Sequence, residues 1–336
     1  MTGAGGTELT AATVGAYLAE RGIVAVAEEV DAYPLTGGVS NHTYWVEWPT
    51  GACVVKQARR RLAVQQDWVA DVRRVIREGE AMAWLYERIG PPSIPGVLHL
   101  DWERMVLVME AIRPPAENYK TILFRGEVSL PLAERFGGLL AAIHSATADD
   151  ATRERFGDTA FFQELRLNPY YDVVAERHPD LASRLAELRR ECLESAHCLL
   201  HGDYSPKNIL VRDGEPILLD YEAAHFGNPS FDVGFALTHL LCKALHFPQW
   251  GREFVAAARG FQSAYAERSA LPAAATAHAG SHLAAIMLAR MDGMSPLEYF
   301  TDERRKDTVR QIARGALNRG DATVGCVIEA VEARLG

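Results

Sequence analysis

Hydrophobic positions along the chain change their period near residue 110. Before that point they form short runs. Residues 10–21 make a first helix, with Thr10 as its cap, Val14, Tyr17 and Leu18 on one face and Gly22 as its stop. The segment 33–41 reads as a strand running into a loop that holds Gly37-Gly38. Residues 42–48 and 52–57 read as two strands about the turn Pro49-Thr50-Gly51, being rich in β-branched and aromatic side chains. Over 66–89 the period lengthens. Trp68, Val72, Val75, Met82, Leu85 and Ile89 recur at three- and four-residue steps, as on a helix. Residues 97–100 and 105–109 add two strands about a tight 101–104 turn, which predicts a five-stranded antiparallel sheet with one helix. Pro114-Pro115 bars an immediate helix, so the boundary between two lobes falls at about 109–113.

Beyond it the pattern is helical. Residues 130–146 carry Leu132, Phe136, Leu139, Leu140 and Ile143 on one face, with His144 as a packed helix-end residue. Further helices are predicted at 181–196, 232–245, 252–268, 277–291, 303–317 and 324–334. Short strands at 209–211 and 217–219 flank a hairpin. The reading is α+β and bilobal: residues 1–110 as a lobe built on the sheet, 111–336 as a mainly helical lobe.

A chain of 336 residues, 48% hydrophobic, can bury the core of two lobes. Its longest apolar candidate, 283–289, falls far short of the roughly 18–20 residues of a membrane span. The start MTGAGGTELT lacks a basic segment followed by an apolar one, so no secretory signal is expected. Cys53, Cys192, Cys198, Cys242 and Cys326 show no CxxC spacing and read as reduced thiols of a cytoplasmic protein. A formal net charge of −9 argues against nucleic acid as a partner and is compatible with steering a cationic substrate. A monomer or homodimer is expected.

The chemistry concentrates in HGDYSPKNIL, residues 201–210. Asp203 and Asn208 share one short loop, and Asp220 closes the apolar run 217–219. Phosphoryl transfer from a nucleotide needs such a set: Asp203 to orient and deprotonate the attacking hydroxyl, Asn208 and Asp220 to hold Mg²⁺ against a triphosphate. In the first lobe, Gly38, Ser40 and Asn41 lie on a loop whose backbone N–H groups suit phosphates, although a Gly-Gly pair also simply turns hairpins. Lys56 ends an apolar strand, where an ammonium group wants a partner; it either reaches phosphates or points to solvent. Glu78 falls on the apolar face of the 66–89 helix and is the chosen partner, with Glu80 in reserve. The backbone at Glu110 and Ile112 is placed to meet an adenine edge.

Taken in order, the Gly loop, strand lysine, helix glutamate, Met109-Glu110-x-Ile112 hinge, HGDxxxxN and strand-ending Asp resemble the aminoglycoside phosphotransferase and choline kinase branch of the protein-kinase-like fold. Gly202 stands where protein kinases carry Arg, Asp220-Tyr221-Glu222 replaces Asp-Phe-Gly, and Gly227-Asn228-Pro229-x-x-Asp232 is similar to that branch's GxPxxD run. The resemblance covers about residues 33–300. It implies ATP or GTP with Mg²⁺ as cofactors, Asp203 as the base, and Asn208 and Asp220 as metal ligands. It also implies that Glu222 assists the metal, directly or through water, and that Asp232 and His201 hold the catalytic loop. Ser205 occupies the place of a phosphate-contacting lysine, which leaves the role of Lys207 open. The acceptor would be a small hydroxylated molecule. An antibiotic of aminoglycoside or nucleoside type leads, and a metabolite such as methylthioribose, choline or homoserine is the alternative. Glu164, Tyr170, Tyr171, Asp172, Arg290, Asp292 and Tyr299 are candidates to line its pocket, the acids suiting a cation. A nucleotide-binding pseudokinase is the competing class. It would predict loss of Lys56, Asp203, Asn208 or Asp220, and all four are present.

Overall fold

The computed structural model describes residues 8–25, 29–35, 41–59 and 70–335. The chain forms two compact units, one running to Pro114 and including Asp220–Glu222, the other holding Pro115–Leu219 and the rest from Ala223.

The first unit contains the five-stranded antiparallel sheet. Its strands are β1 (Asp31–Pro34), β2 (Asn41–Trp48), β3 (Gly51–Ala58), β4 (Val97–Asp101) and β5 (Val106–Glu110), in the spatial order β1-β2-β3-β5-β4. Alternation along the strands sorts side chains onto two faces. Cys53, Val55, Val106 and Val108 pack with Val14, Tyr17 and Leu18 of helix Val14–Glu20. Lys56 pairs across the ladder with Leu107, so both point to the opposite face. There the helix Arg74–Arg88 lies so close that a Cβ on Gly79 would sit 2.5 Å from Leu100 Cδ1 and 3.2 Å from Leu107 Cδ1.

That helix starts at Arg74, not at 66. Residues 70–73 form a turn in which Asp71 Oδ1 accepts the Arg73 N–H at 2.9 Å, a local bond that competes with helix. The expected start at 66, with Trp68, lies outside the described residues.

The second unit is mainly helical. Leu130–Ala146 packs on Gly251–Arg268 closely enough that a Cβ on Gly137 would meet the Phe261 carbonyl at 2.3 Å. Pro229–His246 is mostly apolar and is buried along nearly its whole length, its polar members Asp232, His239 and Lys243 included. It begins three residues before the expected 232, because Asn228 caps it through the Ser230 N–H and Pro229 occupies its first turn. A hairpin of Ile209–Arg212 and Glu215–Leu218 leaves Leu219 outside the strand. Two strands too short for a periodic signal, Cys198–Leu200 and His225–Gly227, pair with each other and frame the loop that follows.

Candidate active site

In the first unit Lys56 Nζ lies 2.6 Å from Glu78 Oε1 and 3.5 Å from Asp220 Oδ1. Burial alone would lower the Lys56 ammonium, but Glu78 and Asp220 outweigh it and push its pKa up. Glu78 is fully buried. Burial raises its carboxyl, Lys56 opposes that, and its Oε2 has no partner. Glu78 rather than Glu80 therefore pairs with the lysine. Asp220 adopts φ +72°, a left-handed backbone that a short polar residue tolerates, and strain of this kind gathers at functional sites. Glu222, expected at the metal, accepts on Oε2 the Nε–H of buried Arg74 at 3.1 Å. Asn41 opens β2, buried, with Oδ1 unpartnered. Gly38 and Ser40 lie outside the described residues. At the hinge the Glu110 N–H already donates to the Gly96 carbonyl at 2.8 Å, so that group cannot serve an adenine edge.

In the second unit residues 201–208 form a tied loop. Asp232 Oδ2 accepts the His201 N–H at 2.7 Å and its Oδ1 the Gly202 N–H at 2.9 Å. His144, rather than merely packing, sets Nε2 3.4 Å from the same carboxylate and Nδ1 2.8 Å from Tyr265 Oη. The His201 ring accepts the Asp203 N–H on Nδ1, so Nε2 carries the proton and donates to the Leu219 carbonyl at 2.9 Å. Gly202 needs φ +76°, and a Cβ there would lie 2.8 Å from the Ala223 carbonyl.

Asp203 is buried, with Arg166 Nη2 at 2.9 Å and Lys207 Nζ at 2.8 Å, both on Oδ2. Burial would raise its carboxyl. Lys207 and Arg166 overcome that and hold it well below the usual carboxylate range. Lys207 thus serves the carboxylate. Arg166, which the sequence reading passed over, also donates Nε to the Gly202 carbonyl at 2.6 Å. It comes from the π-helical stretch Gln163–Asp172, a rare geometry that recurs at functional sites. Its sequence signal was an arginine between Leu165 and Leu167, a charge in apolar company that requires a partner.

Asn208 donates Nδ2 to the Asp203 carbonyl at 2.9 Å, which leaves its amide oxygen as the outward donor. That oxygen is a hard donor of the kind Mg²⁺ takes, and so, in the first unit, is the Asp220 carboxylate. Among the described residues no three His, Cys, Asp or Glu side chains cluster as a metal cage, and Mg²⁺ that arrives with phosphates needs only one or two protein ligands.

The expected acceptor-lining set divides. Asp292 is clamped by Arg310 at 2.7 Å and His178 at 2.9 Å, so that acid is not open to a cation, while the half-exposed Asp172 pairs with Arg189 at 2.8 Å. Tyr171 is buried, with Oη 2.6 Å from His282 Nδ1, and Glu164 lies in the π-helical stretch. Tyr170, Arg290 and Tyr299 gather instead around His239 and Lys243. No helix among the described residues is long and apolar enough to cross a membrane.

A model of the "Phosphotransferase enzyme family" matches residues 31–275. A methylthioribose kinase of Yersinia enterocolitica is 28% identical over 222 residues, covering 58% of this chain and 55% of the relative. Methylthioribose kinase 2 of Oryza sativa subsp. japonica is 25% identical over 233 residues, covering 61% and 54%. The chain spans about half the length of the curated relatives it matches. Among solved structures, an amicoumacin kinase with AMP-PNP, Ca²⁺ and its substrate superposes with a TM-score of 0.55 at 14% identity, over 87% of this chain and 89% of that one. A putative aminoglycoside phosphotransferase from Ralstonia eutropha gives 0.54 at 14% over 97% and 99%, and a choline/ethanolamine kinase family protein from Mesorhizobium loti 0.52 at 16% over 97% and 99%. These structures share the α+β, protein-kinase-like fold.

Proposed function

Since the chain belongs to the phosphotransferase enzyme family, we propose that it is a small-molecule kinase, moving the γ-phosphate of ATP or GTP to an acceptor hydroxyl. The observation that carries this reading is Asp203: a buried carboxylate kept ionised by two cations on one oxygen, in a loop pinned by Asp232. With Oδ2 so occupied, Oδ1 is the oxygen that accepts the acceptor's proton. The acceptor oxygen attacks the γ-phosphorus, the bond to the bridging oxygen breaks, and the nucleoside diphosphate leaves with that electron pair. Lys56, oriented by Glu78, binds phosphate oxygens, and the backbone about Ile112 receives the base. Asn208 and Asp220 would hold Mg²⁺, which neutralises phosphate charge when bound, and Glu222 would support it through water. Intact Lys56, Asp203, Asn208 and Asp220 argue against a pseudokinase.

For the acceptor, the relatives turn the balance. Their names support a metabolite of the methylthioribose kind better than the antibiotic that led the sequence reading. The antibiotic kinases among the solved structures are too distant to speak to the substrate. The test is Mg²⁺-dependent ADP or GDP release with methylthioribose and other hydroxylated metabolites. Asp203→Asn should lower acceptor-stimulated release by on the order of 10²–10⁴-fold while nucleotide binding persists. Near wild-type release from that variant would sink the assignment.

A further inference from the structure

The helix Pro229–His246 carries a contradiction. Its buried Asp232 is satisfied by the His201 and Gly202 N–H groups and its Thr238 hydroxyl by the Gly234 carbonyl, but His239 and Lys243, one turn apart on the same face and both buried, are not so provided for. Lys243 Nζ has one protein partner, the His239 carbonyl at 3.2 Å, and lies 5.5 and 5.7 Å from the ring centroids of Tyr299 and Phe124. Arg290 approaches from helix Ala279–Asp292, 7% exposed. Its three hydrogen bonds all leave from Nη1, to Tyr170 Oη and to the carbonyl and hydroxyl of Ser295.

What these groups lack is a counter-charge. Among the described residues neither Lys243 nor Arg290 makes an ion pair, and Arg290 Nε, His239 Nε2 and Tyr299 Oη are buried without a partner. A buried unpaired cation carries the desolvation cost of an ion with nothing to offset it. A lysine escapes by losing its proton, and burial does pull Lys243 down to about 7. Arginine has no such escape. The Nε–Nη2 edge of Arg290 is the edge that meets a planar carboxylate in two parallel bonds.

The cluster also adjoins the reacting carboxylate. The Phe235 ring lies 5.9 Å from both the Arg166 and the Arg290 guanidinium, and 5.3 Å from the His239 ring. Arg166 in turn holds Asp203.

We propose that this cluster is the acceptor subsite for an anion: the substrate is a hydroxylated carboxylate whose charged group sits on Arg290, with Lys243, His239 and Tyr299 around it, while its hydroxyl reaches Asp203. Only the fate of that hydroxyl rests on the kinase reading. Such a substrate narrows the metabolite reading to an anionic member, and methylthioribose, which carries no such charge, is its competitor in the test.

The experiment measures binding of D-glycerate and D-gluconate to the full chain by calorimetry. Their neutral amides, glucosamine and methylthioribose serve as comparisons at constant ionic strength. One of the carboxylates should bind at least about tenfold more tightly than its amide. That ratio should fall to about one in Arg290→Gln. Lys243→Met, which puts an apolar chain into an apolar helix, guards against misfolding of the first variant and should also reduce the ratio. A ratio near one in the wild type, or one unchanged in both variants, overturns the proposal. ADP release with Mg·ATP and the bound carboxylate is scored separately. Binding without Asp203-dependent release supports the anion site and rejects the kinase reading, whereas release with methylthioribose and no carboxylate preference does the reverse.

Discussion

Asp203 shows how a single residue's state is set by others far along the chain. Buried alone, it would hold a proton and could not accept one. Arg166 and Lys207 reverse that. Arg166→Gln should therefore raise the Asp203 pKa. The carboxylate is the active form, so activity is lost as pH falls through the folded pKa, and the acidic limb of the kcat profile should move to higher pH. The same depressed value stabilises the fold above the unfolded carboxyl's ~3.9, and that contribution fades as pH falls toward the folded value. At neutral pH kcat should fall on the order of tenfold to hundredfold through lost alignment, with partial recovery in Arg166→Lys. A profile that does not move would show that Arg166 only packs.

At the scale of elements, the catalytic loop depends on backbone conformations as much as on side chains. Gly202 supplies φ +76° where the chain passes within 2.8 Å of the Ala223 carbonyl. Gly202→Ala meets both a disfavoured conformation and a clash with backbone, which cannot swing aside. It should cost ~1–3 kcal/mol, read as a lower melting temperature, and should cut turnover by shifting Asp203. An unchanged melt would refute the close approach. The π-helical stretch Gln163–Asp172 is the element least visible beforehand. Pro169 and the mixed order of polar and apolar residues blur any helical period, yet its geometry aims Arg166 at the loop. The helix 229–246 was visible as an apolar run, but its His239 and Lys243 were not weighed, although the burial implied by that run already demanded partners for them.

Across the whole molecule, a net charge of −9 coexists with buried, unpaired cations in the second unit. The average is set by exposed carboxylates, so it carries no information about the sign of a buried site. Asp220 follows the 105 residues that separate the two parts of the first unit and stands where the chain re-enters it. Saturating Mg·ATP, at ~100 times its dissociation constant, should stabilise the fold by ~2.7 kcal/mol, a melting shift of several degrees. Asp220→Asn keeps a residue that tolerates left-handed backbone, so it should fold, and it should lose the Mg²⁺-dependent part of that shift. A full shift in this variant would remove Asp220 from the metal's ligands.

The sequence by itself determined what is local or periodic. The two-faced strands, the amphipathic helices and the 201–208 loop could be read because strand alternation, helical steps and loop hydrogen bonds act over a few residues. Even the choice of Glu78 for Lys56 followed from the face it occupies. Only the tertiary structure decided which distant groups share a charge: Arg166 on Asp203, Arg74 on Glu222, Arg310 and His178 on Asp292, and no carboxylate for Arg290. Coulombic partners are chosen by distance in space. Side chains that meet through packed helices leave no fixed spacing along the chain, so the fold could be read from the sequence while these pairings could not.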